Sequence, residues 1–197
     1  MDGFGIPMVG VHGKKNVSDF PSDMNSAYVF FPGIIVHELG HYLACVLTGT
    51  RVREVRWFHP REAFVVHDKP KTLGGVLISL APFLLNNMLG LAGWSMALSL
   101  YRTDGILAIF FAWMAFSLFL FSFPSGADAL NAFNGVSASL QRKIFSGPLP
   151  MRLGWLVVSP FLFLPAILGV GLLILIERLP VFSWGWAIFM CAWGALG

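Results

Sequence analysis

At 197 residues, 56% of them hydrophobic and only 12% charged, the chain lies far from a soluble domain, in which charged residues approach about a quarter. A net charge of +3 suits basic loops between membrane spans and gives no case for a nucleic-acid partner. The two cysteines, Cys45 and Cys191, both lie in apolar runs and support no disulfide framework.

Residues 1–26 are punctuated by Gly, Pro, Asn, Ser and Asp and read as an extramembrane arm without a signal-peptide pattern. His12 within it reads as a surface histidine. The first apolar run, 27–49, satisfies the requirement of about 20 residues for a hydrocarbon core about 30 Å thick. Inside it stands His37-Glu38-Leu39-Gly40-His41. Helical residues four apart share a face, so both imidazoles can reach one metal ion from one helix. Glu38, beside them, is placed to meet a water in an open coordination position, which is the donor and base set of a zinc hydrolase. A charged side chain at the centre of a span costs about 2.5–3.5 kcal/mol even on the mildest scale, which argues against a chance occurrence.

Residues 50–72 change character. Arg51-Val52-Arg53-Glu54-Val55-Arg56-Trp57-Phe58 and Ala63-Phe64-Val65-Val66-His67 are β-branched and aromatic, and predict a β-hairpin at the membrane surface. His59 and His67, next to arginines, are expected to face solvent rather than a metal.

A second helix is expected over 73–101, kinked at Pro82, which also frees a carbonyl. Its amide pair Asn86-Asn87 requires partners at lipid depth. Those partners are either neighbouring helices or the backbone or oxyanion of a substrate. A third helix over 105–123 ends at Phe123-Pro124-Ser125-Gly126-Ala127-Asp128, and a further helical stretch runs to about residue 141. Apolar helices over 153–176, with Pro160 and Pro165, and over 181–196 complete the chain. The reading is an all-α integral membrane protein of about five transmembrane helices with a small membrane-associated β-hairpin.

Orientation follows from the loop cations. Lys14, Lys15, Arg102 and Arg178 fall on one side. Arg51, Arg53, Arg56, Arg61, Lys69, Lys71, Arg142, Lys143 and Arg152 fall on the other. Nine against four predicts a multi-pass protein with the N-terminus outside and the hairpin in the cytoplasm. This topology carries Asp128 towards the depth of the two histidines. Catalytic zinc takes three protein ligands and keeps one position for water. Asp128 is the acidic residue beyond Glu38 with a route to the site, although an Asp there also suits a helix cap. Cys45, four residues after His41, is the alternative ligand or a small packing residue.

These residues resemble the site-2 protease family of intramembrane zinc metalloproteases. The likeness is carried by His37-Glu38-Leu39-Gly40-His41, by the turn Thr48-Gly49-Thr50-Arg51 into a β segment, and by Leu80-Ala81-Pro82-Phe83-Leu84-Leu85-Asn86, which resembles the family's Gly-Pro-x-x-Asn helix. Phe116 through Asp128 resembles its last core helix. Ala81 in place of Gly, Asn86 four residues after Pro82, and Pro124-Ser125-Gly126-Ala127-Asp128 in place of Leu-Asp-Gly mark a divergent member. The resemblance implies Zn2+ on His37, His41 and Asp128, Glu38 as catalytic base, and substrate contact through Asn86 or Asn87. It implies transmembrane protein substrates held as an added strand on the hairpin. Three segments follow: an arm (1–26), a site-2-protease-like core (27–141) and an additional helical pair (142–197). An inactive membrane scaffold of the same fold is the first rival, and a transporter using the intramembrane His and Glu is the second. Oligomeric state is left open.

Overall fold

The computed structural model describes residues 24–58, 63–70, 72–146 and 148–196. Most of the expected arm, and His59 with the tip of the hairpin, lie outside the described residues.

The first apolar run does not form one helix. Helix α1 covers Met24–Val29 and α2 covers Phe31–Leu47, with Phe30 between them. The cause is Pro32, in the first turn of α2: its ring clashes with the carbonyl four residues back and it has no N–H to donate. The new helix start is capped from elsewhere in the chain. The Gly33 N–H donates to Ser117 Oγ (2.8 Å), and that hydroxyl donates to the Phe30 carbonyl (2.6 Å). Helix α2 ends in a Schellman motif: Thr50 N–H reaches the Cys45 carbonyl, Gly49 N–H reaches that of Val46, and Gly49 sits at φ +65°. A side chain at Gly49 would be strained in that left-handed conformation.

Strands β1 (Val52–Arg56) and β2 (Phe64–His67) then pair antiparallel, with an irregularity between Val52 and Glu54. The hairpin is present as expected, and it folds back along α2. Val52 packs near Ala44 and Cys45 at the C-terminal end of α2. Phe58 meets Phe31 and Tyr28 at the other end, with ring centroids 5.8 and 6.5 Å away. The lengths match: 17 helical residues span about 25 Å, and the seven residues 52–58 span about 23 Å. Ala63 joins the cluster of Ala27 and Ile34, and Val65 is fully buried. His67, expected to face solvent, is buried in β2, and its Nδ1–H donates to the Asp68 carbonyl. At the open end Arg53 is paired with Asp68.

Helix α3 (Thr72–Leu100) carries Pro82 in its interior, and α4 (Gly105–Leu120) is capped by Asp104, whose side chain accepts from Leu107 N–H at 3.0 Å. Helix α5 covers Gly126–Ser146, α6 covers Leu149–Arg178 and α7 covers Pro180–Leu196. Helices α5 and α6 begin a few residues earlier than the sequence suggests. Helices α3 and α6 are long and apolar enough to cross a membrane, while α2, α4 and α7 are shorter apolar helices. Helices α2, α3, α4 and α7 pack around a core of Ile34, Ala115, Phe119 and Met190. Helix α6 packs mainly on α5 and is otherwise covered with exposed Leu, Val, Ile and Phe.

Candidate metal centre

Helix α2 buries one stripe: Gly33, Ile34, His37, Glu38, Gly40, His41, Ala44 and Cys45. Such a stripe at a spacing of three to four is a core-facing helix surface. Here it carries two histidines and a glutamate, each at most 4% exposed. Two glycines let neighbouring backbones close on them. A Cβ at Gly33 would fall 2.1 Å from the Ser117 carbonyl oxygen of α4, and one at Gly40 would fall 2.8 Å from Pro82 Cα of α3.

Asp128 arrives from the start of α5. Ser125 is the N-cap residue and Asp128 sits three positions on. Asp128 N–H donates to Ser125 Oγ (3.2 Å), while Ser125 N–H and Oγ–H donate to Asp128 Oδ2 (2.8 and 2.6 Å). This reciprocal exchange is a capping box with Asp in the usual Glu position. Asp128 therefore takes part in a cap, but from inside the helix, and the cap engages Oδ2. Its Oδ1 faces His41 Nε2 at 3.5 Å, and Oδ2 lies 4.0 Å from His37 Nε2.

Both imidazoles are turned by backbone carbonyls. His37 Nδ1–H donates to Phe121 O at 2.8 Å, and His41 Nδ1–H donates to Ile78 O at 2.9 Å. A carbonyl can only accept, so these bonds place a ring proton on Nδ1 and turn Nε2 towards Asp128. The donor atoms of His37, His41 and Asp128 all lie within 4.8 Å of one another. Bonds of about 2.0–2.1 Å in a tetrahedron put ligand atoms roughly 3.3 Å apart. The spacing, the burial and the two Nε2 atoms turned to one carboxylate suit a zinc ion.

The two asparagines part company. Asn86, fully buried, donates from Nδ2 to Gly33 O (3.2 Å) and to Phe121 O (2.9 Å), the carbonyl that also holds His37. Its Oδ1 is buried with no hydrogen-bond partner among the described residues. Asn87 turns the other way, donating to Phe83 O (2.7 Å) and accepting from Trp186 Nε1 (3.0 Å) of α7. The structure thus brings Asn86 to the support of the site and leaves Asn87 as a helix-to-helix tie. Cys45 is buried against Ala44 and Ile78, outside the donor cluster.

A family model described as peptidase M50B-like matches residues 31–138, more than half of the chain. The chain belongs to the peptidase M50B-like family. The match bears out the resemblance to the site-2 proteases, a group of membrane-embedded metallopeptidases. No curated protein and no solved structure matches the chain. Within the M50B-like match lie α2, the hairpin, α3, α4 and most of α5, hence every residue of the donor cluster. Ser117, Ile78 and Phe121, which support that cluster, carry no motif of their own. Ser125-x-x-Asp128 did carry one, since Ser followed three residues later by an acid marks a capping box.

Proposed function

We propose that this M50B-like protein is an intramembrane zinc endopeptidase that hydrolyses peptide bonds in or near transmembrane segments of other membrane proteins. The observation that carries the reading is the convergence of His37, His41 and Asp128, buried, with both Nδ1 atoms tied to carbonyls. A zinc ion held by those three donors supplies Lewis-acid polarisation of a carbonyl and acidifies a water. Glu38, on the same turn of α2, takes a proton from the attacking water and returns it to the leaving amine. Asn86, whose buried Oδ1 has no hydrogen-bond partner among the described residues, accepts from a substrate backbone N–H in this reading. An unwound substrate segment adds as a strand to the hairpin, which already runs along the helix bearing Glu38. Five crossings by α2, α3, α4, α6 and α7, with the N-terminus outside, put the open end of the hairpin, with Arg51, Arg53 and Lys69, in the cytoplasm. Residues 27–141 form the catalytic core, and α6 and α7 are additions to it.

The test pairs metal content with cleavage of a transmembrane reporter in liposomes. Wild type is expected to hold about one zinc per chain and to cut, and Glu38→Gln to hold zinc and not cut. Zinc without cleavage in wild type would favour the scaffold reading, and full activity of Glu38→Gln would remove Glu38 from the mechanism.

A further inference from the structure

The proline inside α3 and the histidine inside α2 meet at one atom. In a regular helix the carbonyl of residue 78 accepts from the N–H of residue 82. Residue 82 is Pro82, fully buried and without an N–H, so the Ile78 carbonyl is released from the ladder of α3. His41 Nδ1–H takes the place of that missing donor, at 2.9 Å. The approach is possible because α2 has Gly40 where it crosses Pro82, with room for no Cβ. Ile78 is itself 1% exposed, so water does not compete for the carbonyl.

We propose that Pro82 is a positioning residue for His41: by withholding its N–H it dedicates the Ile78 carbonyl to Nδ1, and so fixes the tautomer that presents Nε2 to the metal. The metal half of this inference rests on the zinc reading above, while the hydrogen-bond half does not. An ordinary residue at 82 would bring a donor to the same oxygen. His41 would then share its acceptor, and both ring orientation and tautomer would loosen. Loss of an outer partner of a ligating histidine weakens metal binding by about 10- to 100-fold.

The experiment compares wild type with Pro82→Ala, and with a variant carrying L-lactic acid at 82, whose ester oxygen also lacks a donor proton. Pro160→Ala, in α6, controls for removal of a helix-interior proline. Zinc affinity is read by chelator competition in detergent. The tautomer of His41 is read from its ring 15N shifts in the metal-free protein. The expected result is zinc bound about 10- to 100-fold more weakly by Pro82→Ala, with wild-type affinity for the lactic-acid and Pro160→Ala variants. The His41 Nδ1–H signature should weaken in Pro82→Ala alone, with His37 unchanged. Wild-type affinity together with a wild-type His41 tautomer in Pro82→Ala would overturn the proposal. Equal weakening in the lactic-acid variant would overturn it too, by assigning the effect to the ring. Should wild type bind no zinc while the tautomer still responds to Pro82→Ala, the metal reading fails and the positioning of His41 stands.

Discussion

At Asp128 one carboxylate serves two masters with separate oxygens. Oδ2 accepts from Ser125 and starts α5, and Oδ1 faces His41. The two roles should come apart in Asp128→Asn, whose amide oxygen can still accept from Ser125 but whose charge is gone. We expect helix content and thermal stability near wild type, checked by circular dichroism. Zinc affinity should fall by at least the roughly 100-fold at the upper end of the range for outer partners. A coincident loss of fold would mean that the cap and the ligand are inseparable. At this scale the sequence was most legible where the chain itself sets the geometry. His37 and His41 are four apart on one helix, so their common face needs no knowledge of the tertiary structure. Asp128 was reached through the shortage of acids and through resemblance, because nothing local ties residue 128 to residue 41. The partner of Asn87, 99 positions away on Trp186, could not be read at all.

Among elements, close approach of backbones decides how the donors meet. Gly40 lies against Pro82 with no room for a side chain, so Gly40→Ala must move α2 from α3. We expect that variant to lose about 1–3 kcal/mol of stability, the usual cost of overpacking, measured as a lowered unfolding temperature in detergent. An unchanged melting point would show that the crossing is loose. Helix positions were legible because apolar runs and Pro and Gly breaks are local signals. The division of the first run into α1 and α2 was not foreseen, although Pro32 was in plain view, because 27–49 had the length of a whole span. The cap that permits the break comes from Ser117, 84 residues on from Gly33. The hairpin was legible as two strands, since alternation reports pairing. Its place beside α2 was not, because period-two alternation does not say which neighbour a strand packs on. The aromatic contacts of Phe58 with Phe31 and Tyr28 supply that information.

For the molecule as a whole, the topology proposed from the distribution of cations can be tested by labelling from either side of a vesicle. With Cys45 and Cys191 replaced, single cysteines at the exposed positions 51 and 152 should react with an impermeant maleimide from the cytoplasmic face only. Those at positions 102 and 178 should react from the opposite face only. Labelling of all four from one face would refute the arrangement. Helix α6 fits this frame: a 30-residue apolar helix with its side chains mostly exposed is stable where its surroundings are hydrocarbon.

The hairpin lying along α2 bears on a supply problem that any hydrolase in lipid faces. Hydrolysis consumes water, and hydrocarbon excludes it. Extended backbone at bilayer depth is tolerated only against protein or beside a hydrated cavity, and a two-stranded sheet has an outer edge on each strand. If α2 crosses the bilayer as proposed, those edges would run along the helix that bears Glu38, with the open end at Arg51 and Arg53 outside the hydrocarbon. Under the topology proposed above, the strand that would hold an unwound substrate would also be a wick, leading solvent from the cytoplasmic surface along the helix of Glu38.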